Sequence, residues 1–233
     1  MIVKTFERPV VVRRLISSAR RIFPGRIVVA DDSREPLKSL GPGVEILALP
    51  FNVGLSAGRN AALDTVDTEF VFLTDDDSVF TAATDIIAMM EYLDDNPEVD
   101  IIAPDLVYLP WWYTFRTDHI RLLPGASPPL RQVGDVIGGA TVVNKVQNVF
   151  LARTEGLKRV RWEERLRLIE HDDFFSRASG KLVCVQADGV RAYHARTPFD
   201  SFYMRFRNDV AESNAIVQEL WSAPTRTRRR EEP

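Results

Sequence analysis

Phe70-Val71-Phe72-Leu73-Thr74-Asp75-Asp76-Asp77-Ser78 decides how this chain is read. An apolar run of strand type feeds straight into three carboxylates. In open α/β folds, ligands bind where buried strands end. Three adjacent acids repel one another unless a cation sits among them. A hard divalent cation with oxygen ligands, bridged to a phosphate, is the natural occupant. The plainer reading is a solvated acidic turn or a cap on the next helix. The flanking sequence argues against it.

Working outward, strand and helix patterns alternate. Strands are expected at Met1 to Phe6, Arg26 to Ala30, Val44 to Leu49, Glu69 to Thr74 and Val99 to Ala103. Helices are expected at Val10 to Phe23, Gly54 to Val66 and Asp85 to Leu93. This rhythm implies a mostly parallel sheet with helices on both faces. It is expected to fail after Pro104. Residues 104–135 hold Trp111, Trp112 and five prolines, and read as an irregular excursion. Beyond it, residues 162–180 look helical, Leu182 to Gln186 reads as a strand, and Phe199 to Trp221 as one aromatic-rich closing helix.

The 233 residues can bury a full core, and 27% charged with 45% hydrophobic residues is ordinary for a soluble globular protein. A net charge of -3 gives no general pull toward nucleic acid. Cys184 is the one cysteine, so an intrachain disulfide and a Cys-rich metal site are both excluded. No apolar run reaches the length of a transmembrane helix, and no signal peptide opens the sequence. The expectation is a cytoplasmic protein, free or membrane-associated, or a piece cut from a tethered enzyme. Arg outnumbers Lys by 25 to five, which points to a GC-rich bacterial source. Arg226, Arg228, Arg229 and Arg230 crowd residues 223–233, expected to be a disordered tail.

Thr5-Phe6-Glu7-Arg8, Asp31-Asp32-Ser33 and Asp75-Asp76-Asp77 all stand at the ends of expected strands. In a parallel sheet they open into one crevice. No Gly-x-Gly-x-x-Gly or Gly-Lys-Ser/Thr loop follows the first strand, which excludes the usual dinucleotide and P-loop folds. Nucleotide phosphates held without a glycine loop need a metal instead.

With Asn52-Val53-Gly54-Leu55-Ser56-Ala57-Gly58-Arg59-Asn60 and a later acidic cluster, these motifs resemble the GT-A glycosyltransferases of the family-two type. More narrowly, Asp75-Asp76-Asp77-Ser78-Val79-Phe80-Thr81-Ala82, Asn148-Val149-Phe150-Leu151-Ala152-Arg153-Thr154 and His171-Asp172-Asp173-Phe174-Phe175 are similar to the catalytic domain of the animal β-1,4-N-acetylgalactosaminyltransferases. The resemblance covers about residues 2–196. It implies a Rossmann-like, mostly parallel sheet flanked by helices, with a smaller acceptor-side region. One domain is expected over 1–222, with a nucleotide-sugar-binding half at 1–103 and an acceptor half at 104–222.

The resemblance also implies roles. Asp31 would accept from the uracil imide of a UDP-sugar, with Thr5 and Glu7 lining base and ribose. Arg59 would reach the base or phosphates; its plainer reading is a surface salt bridge. Asp75 would face the ribose. Asp77 and Asp76 would hold Mn²⁺ or Mg²⁺ on the diphosphate, completed by His194. An inverting transfer needs a general base on the acceptor hydroxyl. Asp173 is expected in that role, Asp172 is the alternative, and Glu170 would orient the acceptor. Trp111, Trp112 and Asn148 are expected on the acceptor side, facing a glycan, glycolipid or small molecule.

Two other readings stay open at this level. One is a nucleotidyltransferase making nucleotide sugars, which would normally carry a glycine- and lysine-bearing loop where Glu7-Arg8-Pro9 stands. The other is a non-catalytic sugar-binding module on the same fold. A homo-oligomer is compatible with either.

Overall fold

The computed structural model describes residues 1–115, 121–197, 199–208 and 210–222. The expected tail at 223–233 and His119 lie outside the described residues. The first half runs β1 (Ile2–Thr5), α1 (Pro9–Ala19), β2 (Ile27–Asp31), β3 (Val44–Ala48), α2 (Leu55–Asp64), β4 (Phe70–Asp75), the short β5 (Ser78–Val79) and α3 (Ile86–Asp95). The second half runs β6 (Ile101–Leu109), β7 (Tyr113–Phe115), β8 (Val136–Ile137), β9 (Ala140–Val142), β10 (Val149–Arg153), α4 (Thr154–Val160), α5 (Glu170–Ala178), β11 (Cys184–Ala195), α6 (Ser201–Asn208) and α7 (Ala211–Trp221).

Among the described residues, the strands form one sheet in the order β3-β2-β1-β4-β10-β6-β11-β9-β8. The first four are parallel, so Thr5, Asp31 and Asp75 finish at the same edge. β10 enters antiparallel between β4 and β6, and β11 lies parallel to β6. The fold is the expected GT-A arrangement.

Residue spacing explains the layers. Along β4, Val71 and Leu73 enter one core and Phe72 enters the other, the two-residue period of a strand covered on both faces. Helix α1 starts with Pro9, whose missing N–H is no loss in a first turn. Its buried Val12, Leu15, Ile16 and Ala19 recur at helical spacing on the Phe72 side. Leu63, Leu157, Phe174 and Phe175 fill the opposite layer. Gly54 before α2 has φ +95, and a Cβ there would lie 2.6 Å from the Arg167 backbone, so only glycine fits.

Four expectations need correction. The helical stretch expected over 162–180 is confined to α5, Glu170–Ala178. Pro104 does not end its strand: β6 continues to Leu109. The register with β11 shifts between Gln186 and Arg191, opposite Pro104, so a bulge absorbs the place where proline offers no N–H. Residues 149–153, quoted above only within a motif and given no element, form a central antiparallel strand. The closing helix is two helices, α6 and α7, rather than one.

Candidate active site

Two adjoining cavities open above the carboxyl ends of β1, β2 and β4. One, of about 360 Å³, is lined by Thr5, Arg8, Arg59, Asp75, Asp76, Asp77, Asn148, Glu170, His171 and His194. The other, of about 460 Å³, holds Asp32, Asn52, Gly54 and Phe206. Lys4, Phe6, Leu55, Tyr203 and Arg207 border both, so the two adjoin and together form the cleft.

Two cations sit among the three acids: Arg59 at Asp75, and Arg8 at Asp76 and Asp77. The Arg8 guanidinium pairs with Asp76, reaches Asp77 Oδ2 at 3.1 Å and stacks 4.0 Å from the Tyr203 ring of α6. Asp76 is turned inward and also accepts from Thr5 Oγ1 at 2.7 Å. Burial pushes the Asp76 carboxyl up to about 6, against the pull of Arg8. Burial also opposes ionisation of Asp77, yet His194 and Arg8 outweigh it and hold that carboxyl below its usual range. His194 Nε2 lies 2.9 Å from Asp77 Oδ1, and the pairing of β11 with β5 sets His194 opposite the neighbouring Ser78. The other imidazole nitrogen, Nδ1, is buried without a partner.

Arg59 does not point freely at a ligand, nor is it on the surface. It is buried between Glu170 and Asp75, with Nη2 2.7 Å from Asp75 Oδ1. Burial works against the charge on Glu170, but Arg59 more than restores it and keeps the carboxyl below its ordinary value.

The four residues that open α5 diverge. Glu170 and His171 line the cleft. Asp172 pairs with Lys145 instead. Asp173 is fully buried, with Oδ2 bound by Arg177 at 2.7 and 2.8 Å and Oδ1 by Trp221 Nε1 at 3.0 Å. The expectation that Asp173, or Asp172, serves as base is therefore corrected: neither borders the cleft. The residue before them, Ile169, is the N-cap of α5 with φ 62, a left-handed conformation rare for a β-branched side chain. Such strain clusters at functional sites.

Asp31 is buried at the end of β2. Its oxygens accept from Ser33 N at 2.9 Å and Leu37 N at 2.8 Å, which closes a turn. Thr5, Glu7 and Asp31 gather around a third cavity, which shares Thr5 with the first and Arg34 with the second. Asp32 is the carboxylate on the cleft, paired with Lys4 and accepting from Gly54 N at 3.0 Å. Phe6 beside it packs 5.6 Å from Phe51 and 4.9 Å from Phe206.

Trp111 and Trp112 are exposed on the link between β6 and β7 and do not line the cleft. Trp112 meets the ring of Tyr193, the residue before His194, at 6.1 Å. Sequence reading missed Arg8, Asp32, His171, Tyr203 and Arg207. Each sits within or near a motif that was quoted or expected, so the signal was position; which neighbour faces the cleft was not legible.

A family model described as Glycosyl transferase family 2 matches residues 1–161. Mouse beta-1,4 N-acetylgalactosaminyltransferase 2 is 33% identical over 229 residues, 92% of this chain and 44% of that protein. Human beta-1,4 N-acetylgalactosaminyltransferase 1 is 35% identical over 202 residues, 82% of this chain and 38% of that protein. The chain thus spans less than half the length of these relatives. Among solved structures, S. aureus TarS 1-349 in complex with UDP-GlcNAc superposes with a TM-score of 0.64 at 17% identity, covering 84% of this chain and 58% of that one. S. aureus TarS superposes with a TM-score of 0.62 at 18% identity, covering 96% and 40%.

Proposed function

The chain belongs to glycosyl transferase family 2, and on that premise we propose that it transfers a sugar, GalNAc or a related hexose, from a UDP-sugar to an acceptor hydroxyl with inversion. The carrying observation is the pair of adjoining cavities that share Phe6 and Lys4, with Asp32 in one and Asp75, Asp77 and His194 in the other. The relatives' names support the sugar, and the neighbour in complex with UDP-GlcNAc supports the nucleotide.

In this reading residues 1–103 carry most of the donor site. Phe6 packs on the uracil, and Asp32 accepts its imide N–H beside Lys4. Thr5 and Asp75 border the ribose. Arg59 positions Asp75 and Glu170 rather than touching the nucleotide. Arg207 lines both cavities, where its charge meets the diphosphate.

Among the described residues, no three His, Cys, Asp or Glu side chains are arranged as a ready metal cage. Two donors do meet: Asp77 and His194, the latter with an unpartnered buried nitrogen. A cation that takes one or two protein ligands and the rest from phosphate and water fits that pair. Asp77 and His194 would hold Mn²⁺ or Mg²⁺, with Asp76 kept back by Arg8 and Thr5. When bound, the metal supplies neutralisation of the leaving diphosphate.

Residues 104–222 supply the acceptor side, with Asn148 and Glu170 in the cleft and the exposed Trp111 and Trp112 as stacking faces for a glycan, glycolipid or small-molecule acceptor. Described helices include none long and apolar enough to cross a membrane. The test is UDP release from UDP-GalNAc and UDP-GlcNAc with Mn²⁺, with and without acceptor glycans. Release that rises with acceptor is expected. A chain that neither binds UDP nor releases it would overturn the reading.

A further inference from the structure

The first turn of α5 offers four polar side chains, and the fold sends only two of them to the cleft. We propose that His171 is the general base that takes the proton from the acceptor hydroxyl. The proposal rests on the glycosyl-transfer reading above and deepens it.

Glu170 is the competitor in the cleft, and its chemistry is committed elsewhere. Its carboxylate is one end of a chain in which Arg59 also holds Asp75. A carboxylate held ionised against a buried guanidinium is a weak base. Its work is to orient.

His171 is held as a base needs to be held. Its Nε2 lies 2.6 Å from the Val146 carbonyl oxygen. A carbonyl only accepts, so Nε2 carries the hydrogen and Nδ1 keeps its lone pair. The ring packs edge-on against Phe175 at 5.1 Å, which fixes its plane from inside. Ile169, strained into the left-handed region, aims this turn at the cavity that also holds Asp77 and His194.

Its surroundings keep the ring neutral. Burial is the largest cause lowering its pKa, and Lys145 and then Arg59 add to it; Glu170 and the hydrogen bond to Val146 pull the other way and are outweighed. The position in the first turn of α5 adds the positive end of the helix dipole. At neutral pH the imidazole is therefore free to accept.

The step balances. As the acceptor oxygen attacks the anomeric carbon, its proton passes to Nδ1 of His171. The new C–O bond forms while the bond to the diphosphate oxygen breaks, and UDP leaves with that electron pair. The imidazolium is offset by Glu170 beside it and returns its proton to water in the open cleft.

The experiment compares wild type, His171→Asn and His171→Ala in single-turnover UDP release from UDP-GalNAc, with water or acceptor as nucleophile. UDP affinity is measured by calorimetry in parallel. The expected result is UDP affinity within about threefold of wild type and a rate lowered 10²- to 10⁴-fold, the typical worth of a general base. The wild-type rate should fall as pH drops below the ordinary histidine range, and His171→Asn should lose that limb. Added imidazole should restore part of the His171→Ala rate. A His171→Asn rate within threefold of wild type, or a limb that persists in that variant, overturns the proposal. A wild type that binds no UDP overturns the glycosyl-transfer reading itself, and the proposal with it.

Discussion

Trp221 Nε1 donates to Asp173 Oδ1 at 3.0 Å, tying the last described helix to the first turn of α5. With Arg177 on the other oxygen, this carboxylate has a structural task. Asp173→Ala leaves Arg177 and the indole without their partner. Breaking a buried ion pair from one side costs about 3–5 kcal/mol. Thermal melts should show that loss, while the folded fraction keeps its UDP affinity. A variant with wild-type melting and collapsed turnover would return Asp173 to the chemistry.

Asp31 and Asp32 should separate cleanly. Asp32→Ala removes the carboxylate on the cleft, and calorimetry should show UDP binding weakened at least about tenfold, the worth of a charged hydrogen bond. Asp31→Ala should instead lower the melting temperature by opening the Ser33–Leu37 turn, with a smaller effect on UDP. The reverse ranking would place the base reader at Asp31.

Metal should act through Asp77. Removing it with EDTA should weaken UDP binding by more than tenfold in wild type. Asp77→Asn should bind UDP at that weakened level whether or not Mn²⁺ is present. Equal UDP affinity of the wild type in EDTA and in Mn²⁺ would remove the metal from donor binding.

Arg8 neutralises Asp76 and Asp77 before any ligand arrives. Arg8→Ala leaves two buried carboxylates facing each other and should cost about 3–5 kcal/mol without metal. Mn²⁺ should then raise the melting temperature of the variant more than that of wild type. An equal Mn²⁺ shift in both would mean that guanidinium and metal do not share these acids.

His171 should also mark the stability curve. Its folded pKa lies below the ordinary 6.5 because burial disfavours the charged ring. The unfolded chain therefore binds the proton more readily in the interval between the two values, so stability rises with pH there. The contribution is fully present above pH 6.5 and is lost as pH falls toward the folded value. Denaturant titrations from pH 5 to 8 should show this slope in wild type and a flatter one in His171→Asn.

Much of the fold was legible because it rests on local patterns. Alternating strand and helix periodicity located β1 to β4 and α1 to α3 within a few residues. Carboxylates directly after apolar runs marked the ligand edge, since parallel strands end together. Pro104 misled because its tolerance depends on a bulge in β11, more than eighty residues away.

The sequence by itself determined that three acids, a second acidic cluster and a late histidine belong to one α/β protein with an open sheet edge. Only the tertiary structure decided which members of each cluster meet. Adjacent residues in a helix turn diverge by about 100°, so Glu170 and His171 reach the cleft while Asp172 meets Lys145 and Asp173 meets Trp221. At the end of β2, Asp31 closes a turn and Asp32 faces the cleft. Arg8 sits among the acids because β1, which it follows, pairs with β4, a closeness in space that spacing along the chain does not encode.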